Sequence, residues 1–273
     1  MASDPLLRTD GICVSFGGLD VLVDVTIDVP AGSVLGVIGP NGAGKTTLFN
    51  AICGFIRPDA GSLFFDGREL RGHRPHDLTR IGIARTLQGL GLFGRLTVLD
   101  NVLAGATSQS RTRPVGALLA APWTDRDARR LRERAVAVLE SLDLAADAHR
   151  TCASLPYGLR KRVALARALV SEPRLLLLDE PAAGLSAPET EDLARIVRDL
   201  PAGTTVMVVE HHMDFVMNLC DRLVVLDFGE VIARGTPSEV REDPVVQRAY
   251  LGESASGAAD VAATAAATGR GDA

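Results

Sequence analysis

The sequence lacks a cysteine framework. Its 4 cysteines among 273 residues stand far apart and form neither a CxxC pair nor a Cys/His spacing typical of a metal site. They lie in apolar segments, where small buried thiols are common. We therefore expect Cys13, Cys53, Cys152 and Cys220 to be reduced thiols in or near the core, as suits a cytosolic protein.

Long apolar runs and an excess of basic residues are also absent. No stretch approaches the ~18 uninterrupted apolar residues needed to span a bilayer, and the N-terminus lacks the basic start and apolar run of a signal peptide. Any role at a membrane is therefore predicted to be peripheral. The 29 basic and 34 acidic residues are mixed along the chain and give a net charge of -5, which argues against nucleic acid as a partner.

The chain does have enough apolar material for a substantial core, since 47% of its residues are hydrophobic. Short apolar runs rich in β-branched residues alternate with segments of helical period, which is the pattern of a parallel sheet covered by helices. Residues 34–38, 175–178 and 205–209 are predicted as buried strands. The pattern therefore predicts an α/β core.

Other regions differ from this core. The alternating segments 11–16, 21–29 and 62–66 indicate an antiparallel sheet laid against it. From about 89 to 158 strand signals vanish, which predicts a helical subdomain inserted into the core. Residues 253–273 are Ala, Gly, Ser and Thr with few large side chains, so we expect a disordered tail. No internal repeat is visible, and a single unit is expected.

A helix from Asp125 to Leu142 is predicted within the inserted region. Its apolar positions form one stripe, at Leu131, Ala135, Val138, Leu139 and Leu142. Thr124 with Asp127 resembles a capping box at its start. The opposite face is rich in arginine, but acidic residues are interleaved there. A solvated face is therefore favoured over a lipid or nucleic-acid patch.

A glycine-rich motif follows the strand at 34–38 and precedes a helical segment at 46–53. It fits G-x-x-x-x-G-K-[ST] with Gly39, Pro40, Asn41, Gly42, Ala43, Gly44, Lys45 and Thr46, and Thr47 completes the predicted site. Consecutive N–H groups and the helix N-terminus would bind the phosphates of ATP, with Lys45 on the β and γ phosphates and Thr46 on Mg²⁺. An ordinary glycine-rich turn would explain the glycines but not the Lys-Thr pair.

Two carboxylates, Asp179 and Glu180, emerge from the end of the strand at 175–178. The carboxyl edge of an open α/β sheet is where ligands bind. Asp179 is predicted to hold Mg²⁺ and Glu180 to polarise the attacking water. An apolar strand that ends in Asp-Glu is common by chance, so the pair gains its meaning from the glycine-rich loop.

Further motifs complete a recognisable set: RTLQ at 85–88, LPYGL at 155–159 before a basic helix, DEPAAGL at 179–185, VEHHM at 209–213 and RAYLGE at 248–253. With the glycine-rich loop, they resemble the nucleotide-binding domain of ABC transporters over residues 6–252. More narrowly, the set is similar to one ATP-binding subunit of branched-chain amino acid importers, and related urea and amide importers share it. The resemblance implies a P-loop NTPase core with a mostly parallel sheet, an antiparallel β subdomain and an inserted α-helical subdomain.

The resemblance implies roles for further residues. Phe16 would stack on adenine, as opposed to being a core aromatic, and His211 would contact the γ-phosphate. Gln88 would contact Mg²⁺ and the attacking water, and would link the site to the permease. Gly184 and Leu185 would belong to the loop that meets a second subunit.

One motif departs from the family, whose signature is usually LSGGQ. Leu155 and Gly158 are kept, but Pro156 and Tyr157 replace Ser and the first Gly, and Leu159 replaces Gln. The resemblance implies that this segment binds the nucleotide held by a second cassette. Since the serine hydroxyl is absent, that contact must come from backbone N–H groups and the helix N-terminus.

The resemblance implies an ATP-binding, ATP-hydrolysing subunit of an importer on the cytoplasmic face of a membrane, with Mg²⁺ as cofactor. Its expected partners are a second cassette in a head-to-tail dimer, which is a related but different chain, two transmembrane permeases and, indirectly, a solute-binding protein. Branched-chain amino acids are the first candidate solute and urea or amides the next. A soluble ABC ATPase that acts on DNA or ribosomes is disfavoured by the single cassette, and a nucleotide sensor without turnover by the presence of Glu180 and His211.

Overall fold

A four-stranded antiparallel sheet forms one layer of the protein. The computed structural model describes residues 4–86, 90–106, 122–201 and 203–250. The strands of this sheet are β1 (Leu7–Phe16), β2 (Leu19–Val29), β4 (Ala60–Phe65) and β5 (Arg68–Glu69), in the order β2-β1-β4-β5. Their pairing is antiparallel throughout, as the alternating segments predict, and the first three strands begin two to four residues before the predicted starts.

A six-stranded sheet forms the central layer. Its strands are β3 (Val34–Ile38), β6 (Ile83–Arg85), β7 (Leu175–Asp179), β8 (Thr205–Val209), β9 (Arg222–Asp227) and β10 (Glu230–Gly235), in the order β10-β9-β3-β8-β7-β6. All neighbouring pairs are parallel except the antiparallel β10 and β9. The three predicted strands β3, β7 and β8 lie side by side in its centre, and the α/β prediction is confirmed.

Residues 244–250 are helical up to the end of the last described range. The described residues contain eight further helices, which are α1 (Lys45–Ile52), α2 (Leu78–Ile81), α3 (Val98–Gly105), α4 (Pro122–Ser141), α5 (Tyr157–Leu169), α6 (Ala187–Arg198), α7 (Met213–Leu219) and α8 (Pro237–Glu242). Two apolar clusters lie on opposite faces of the central sheet. One fills the space between the two sheets and α1, and the other packs α3, α4, α5, α6 and α7 against the opposite face. Because both faces are covered, β7 and β8 are buried along their whole length.

The described residues between 90 and 156 contain helices, short 3-10 turns and a single isolated bridge, between Thr97 and Thr151, but no extended strand. Of the predicted apolar stripe, Leu131, Ala135, Leu139 and Leu142 are buried in the second cluster, whereas Val138 is half-buried against it. Leu142 directly follows Ser141, the last residue of α4. The predicted start of this helix is wrong. Thr124 lies inside α4, which begins at Pro122, because proline is well suited to a first helical position.

All four cysteines are free thiols, as predicted: Cys53, Cys152 and Cys220 are buried and Cys13 is half-buried. Burial raises the pKa of the Cys53 thiol to about 11 and that of Cys220 to about 12, so both are protonated at neutral pH. In the part of the chain that the structure describes, none of the helices combines the length and the apolar character needed to cross a bilayer. The predicted tail at 253–273 lies outside the described residues.

Candidate active site

The glycine-rich loop at 39–44 joins the buried strand β3 to helix α1. Gly39, Gly42 and Gly44 have φ angles of +152°, +80° and +97°, a range that residues other than glycine rarely adopt. Gly44 is the N-cap residue of α1, so no side chain covers the first turn of the helix. A helix N-terminus that is left uncapped behind a glycine loop is a binding site for an anion such as a phosphate.

The loop is wedged between β2 and the turn that follows β9. A Cβ atom at Gly39 would lie 2.0 Å from the carbonyl oxygen of Leu226, and one at Gly44 would lie 2.7 Å from that of Val21. In the same turn, Gly229 N donates to the carbonyl of Ala43 at 3.2 Å. Contacts this close to main-chain atoms leave no room for side chains. The shape of the cradle is therefore fixed by packing before any ligand binds.

Lys45, the first residue of α1, is only 7% exposed. Its Nζ donates to the carbonyl oxygens of Gly39 at 2.7 Å and Pro40 at 2.6 Å, so the ammonium group curls over the loop that it follows. Thr46 is exposed and Thr47 is half-buried at the mouth of the helix. The structure thus gathers a cation, two hydroxyl-bearing residues and an uncapped helix end at one place.

Asp179 ends β7 and is 4% exposed. Its Oδ2 accepts a 2.6 Å hydrogen bond from Nη2 of Arg85, whereas its Oδ1 is buried with no hydrogen-bond partner among the described groups. Buried acceptors are rarely left unpaired. A divalent cation is a fitting partner for such an oxygen, because Mg²⁺ prefers carboxylate and hydroxyl ligands. The residues present therefore fit the predicted metal.

Arg85 is a residue whose importance sequence reasoning missed. It extends from β6 beside β7, and its Nη1 donates at 2.8 Å to Oδ1 of Asn50 on α1. Its guanidinium carbon lies 5.7 Å from the centre of the Phe49 ring. Arg85 thereby ties the helix behind the phosphate loop to Asp179. The available signal was its position in RTLQ, directly after a short apolar strand.

Glu180 has a φ angle of +46°, which is uncommon for a residue with a side chain. Its N–H donates to the carbonyl of Val209 at the end of β8, at 2.9 Å. Nζ of Lys161 on α5 donates to the carbonyls of Glu180 at 3.1 Å and Pro181 at 2.6 Å. Burial lowers the pKa of Lys161, and the nearby charges of Glu210 and Glu180 oppose that shift. Lys161 is a second residue that sequence reasoning missed.

Glu210 follows β8 and is completely buried. Its Oε1 accepts from the N–H of Ala182 at 2.8 Å, and its Oε2 accepts from the N–H groups of His211 at 2.8 Å and His212 at 3.1 Å. Nδ1 of His212 also lies 3.0 Å from Oε2. The side chain of His211 remains 44% exposed at this edge of the sheet. Glu210 was also missed, although it stands in VEHHM beside a predicted site residue.

The remaining predicted residues occupy other positions. Phe16 ends β1 and is 51% exposed, followed by two glycines, so its ring is accessible for stacking. Gln88 lies outside the described residues. Just before it, Thr86 accepts a 3.4 Å hydrogen bond from the N–H of Asp179 through its hydroxyl.

The segment 155–158 opens helix α5. Leu155 is buried, whereas Pro156 and Tyr157 are exposed, and Pro156 is an N-cap residue that makes no side-chain hydrogen bond. A Cβ atom at Gly184 would lie 3.1 Å from Cε1 of Tyr157, so this segment packs against the loop after Glu180.

Comparison with protein families gives two matches. Residues 22–183 match the model described as ABC transporter, which spans more than half of the chain. Residues 230–256 match the model described as branched-chain amino acid ATP-binding cassette transporter. The first match includes the phosphate loop, Asp179 and Glu180, and the second begins at β10, after the residues of the site.

Curated relatives and solved structures agree over nearly the whole chain. The high-affinity branched-chain amino acid transport ATP-binding protein LivG of Salmonella typhimurium is 39% identical over 253 residues, which are 92% of this chain and 99% of the relative. The protein of the same description named BraF, from Pseudomonas aeruginosa, gives the same figures. The crystal structure of the ADP conformation of MJ1267, an ATP-binding cassette of an ABC transporter, superposes with a TM-score of 0.79 at 34% identity. That alignment covers 92% of this chain and 100% of the other.

Proposed function

Because the chain belongs to the family of ABC transporter ATP-binding cassettes, we propose that it energises an importer of branched-chain amino acids. The family makes it an ATP-binding, ATP-hydrolysing transporter subunit. The solute follows from the names of the relatives and from the match at 230–256. One structural observation carries the site: an uncapped helix end behind a glycine loop is tied through Arg85 to a buried carboxylate with one unpaired oxygen.

We propose that the phosphates of ATP are bound by residues 39–47, through the backbone N–H groups that all of them except Pro40 carry, and by the ammonium group of Lys45. Phe16 supplies the stacking surface for adenine. Thr46, Asp179 and Gln88 would hold Mg²⁺, which when bound neutralises charge on the β and γ phosphates. The unpaired Oδ1 of Asp179 supports this assignment.

In the proposed hydrolysis step, the Glu180 carboxylate polarises the attacking water and accepts its proton, while His211 contacts the γ-phosphate. The two residues follow neighbouring strands, β7 and β8, which are paired in register as far as Asp179 and Val209. Parallel strands bring their carboxyl ends to the same edge of the sheet. This pairing supports a common site for Glu180 and His211.

We propose that two cassettes close head to tail around two ATP molecules, so that Leu155–Gly158 of one chain faces the nucleotide of the other. The exposed Pro156 and Tyr157 and the uncapped start of α5 support this role. The second cassette is proposed to be a different chain. Two permeases on the membrane convert closure into alternating access, and a binding protein delivers the solute to them. The cassette would lie peripherally on the cytoplasmic face.

We propose that the ATP-binding domain spans residues 6–252 and contains a helical insertion at about 89–158. A disordered tail at 253–273 is proposed to follow the domain. Residues 89–125 are proposed as the surface that faces the permeases. Phe93 and Leu96 support this, because they are 56% and 41% exposed beside α3 although both are large and apolar. A cysteine at position 93 should cross-link to a permease in the assembled transporter. Cross-links found only from other faces, for example from position 191 on α6, would contradict the assignment.

Transport assays test the solute. The cassette is purified with its permeases and binding protein and reconstituted in vesicles. We expect leucine, isoleucine or valine with the binding protein to stimulate ATP hydrolysis and to enter the vesicles. Stimulation by urea or short amides alone would instead assign the complex to the urea and amide importers. ATP hydrolysis that is independent of the permeases but is stimulated by DNA or ribosomes would refute a transport function.

A further inference from the structure

We propose that Glu210 and Lys161 act as a clamp, which holds Glu180 in its left-handed conformation and connects it to His211. The clamp is defined as the side chains of these two residues. The inference rests on the proposed function only in taking Glu180 and His211 as the hydrolytic pair. Neither Glu210 nor Lys161 is assigned to ATP itself, so both are positioning residues.

The backbone around Glu180 is anchored by hydrogen bonds to several parts of the chain. Its N–H donates to Val209 at 2.9 Å, and its carbonyl and that of Pro181 accept from Lys161 at 3.1 and 2.6 Å. The next N–H, of Ala182, donates to Glu210 at 2.8 Å. A residue with a side chain keeps a φ of +46° only where its surroundings over-determine the conformation. The clamp provides two of these anchors, beside Val209 and the N–H of Ala183, which donates to the Glu180 carbonyl at 3.2 Å.

Glu210 uses both of its carboxylate oxygens. Oε1 takes the N–H of Ala182, whereas Oε2 takes the N–H groups of His211 and His212 and lies against the His212 ring. One buried side chain thus joins the loop after Glu180 to the start of the histidine segment. An amide side chain could not replace it, because glutamine has one acceptor oxygen and would turn N–H donors toward N–H donors.

Three N–H groups satisfy the oxygens of Glu210 at its fully buried position. Lys161 is the neighbouring cation, and the charge of Glu210 raises the pKa of that ammonium group against the effect of burial. Lys161 lies on α5, which begins at Tyr157, so the clamp also links the segment 155–158 to Glu180. A shift of α5 during closure would therefore move the carbonyls beside the catalytic carboxylate.

A metal site is the competing interpretation of this cluster. Among the described residues, Glu210, His211 and His212 offer ligand atoms within 4.8 Å of one another. However, Oε2 already lies within hydrogen-bond distance of two N–H groups and one ring nitrogen. An oxygen so occupied has little capacity left for a metal ion, which favours the positioning role.

The test is the Glu210→Gln substitution, measured by turnover, nucleotide affinity and hydrogen exchange. We expect kcat to fall about 100-fold, since small misplacement of a catalytic group has effects of this order. The Kd for Mg·ATP should stay within about twofold, because the phosphate loop is untouched. The amides of Ala182, His211 and His212 should exchange faster, whereas those of Val206–Val208 in β8 should not.

Matched variants separate positioning from general destabilisation. Glu239→Gln removes a carboxylate oxygen that accepts from the N–H of Thr236 at 2.7 Å, in a capping box remote from the site, and should leave kcat unchanged. Lys161→Met should lower kcat as Glu210→Gln does, and Lys161→Arg should restore part of it. The Glu210→Gln and His211→Ala effects on kcat should be clearly less than additive, since one residue acts through the other.

Four results would overturn the clamp. The first two concern Glu210→Gln: wild-type kcat with unchanged hydrogen exchange at the Ala182 amide, or faster amide exchange throughout β8. The others are strictly additive losses of kcat with His211→Ala, and stoichiometric Zn²⁺ binding by the wild-type chain that Glu210→Gln abolishes. The proposed function fails separately. A wild-type complex without ATPase activity would refute that function, whereas the localised exchange changes would still demonstrate the clamp.

Discussion

The carboxyl edge of the central sheet and the segment 155–158 differ in how their polar groups are satisfied. At the edge, charged side chains are buried and find their partners within the chain, as Asp179 does with Arg85 and Glu210 with Ala182. In the segment, Pro156 and Tyr157 are exposed and helix α5 starts without a side-chain cap. A buried charge needs a partner within the chain, whereas the N–H groups of an exposed, uncapped helix end can be satisfied by a ligand or by another molecule. The edge is therefore organised by one chain, and the segment suits completion by a second.

The largest expected effect is at the edge, where Glu180→Gln should reduce ATP turnover by at least about 100-fold. Glutamine keeps the shape and an acceptor oxygen, so binding through Lys45 and Asp179 should persist. If closure is favoured by ATP and reversed by hydrolysis, the closed dimer must then accumulate by mass action. Sedimentation with Mg·ATP and the partner cassette measures this. Hydrolysis at the wild-type rate would show that Glu180 is not the catalytic carboxylate.

Breaking the buried pair at the same edge should affect stability. Arg85→Met leaves Asp179 buried without its cation, and removing one partner of a buried ion pair costs about 3–5 kcal/mol. Urea unfolding measures the loss. The chain offers a matched control in Arg174, which pairs with Asp66 and lies 5.7 Å from the Phe65 ring, but with half-exposed side chains. Arg174→Met should cause a much smaller change, and equal losses would contradict the importance of burial.

A smaller effect is expected in the phosphate loop, where Lys45→Ala should weaken ATP binding by about ten- to a hundredfold. This is the range that corresponds to one charge-assisted contact of about 1.5–3 kcal/mol. Calorimetry with Mg·ATP measures the change. The Lys45 ammonium group also bonds two loop carbonyls, so unfolding should be measured in parallel. Unchanged affinity in a folded variant would remove Lys45 from the nucleotide site.

The comparison also separates what could be predicted from the sequence. Motifs that depend on a local pattern, such as β3 with its glycine loop and β7 ending at Asp179, are readable from the residues themselves. Strand β6, with only three residues, is too short to show a period.

The contacts of the site were not predictable in the same way. Arg85 and Asp179 are 94 positions apart, and Ala182 and Glu210 are 28 apart. The order of the strands in the sheet brings these residues together, and that order cannot be predicted from a local sequence pattern. The roles of Glu210 and Lys161 therefore could not be predicted from the sequence, because they depend on tertiary contacts.

The smallest expected effect is in the segment 155–158, where Pro156→Ser restores a hydroxyl at the N-cap of α5. A serine cap stabilises a helix by about 0.5–2 kcal/mol, while loss of the proline ring gives the unfolded chain back about 0.4–1 kcal/mol. The stability of the single chain should therefore change little. A hydroxyl facing the partner's nucleotide would add about 0.5–1.5 kcal/mol, which strengthens closure by roughly two- to tenfold.

Sedimentation with Mg²⁺ and a non-hydrolysable ATP analogue, in the presence of the partner cassette, measures closure without turnover. Pro156→Ala is the control, because it removes the ring without adding a hydroxyl and should not strengthen closure. Equal gains in both variants would assign the effect to the ring. If Pro156→Ser raises the unfolding free energy of the single chain but leaves closure unchanged, the hydroxyl caps its own helix. The prediction that a hydroxyl at position 156 reaches the partner's nucleotide would then be wrong, and the contact would rest on backbone N–H groups alone.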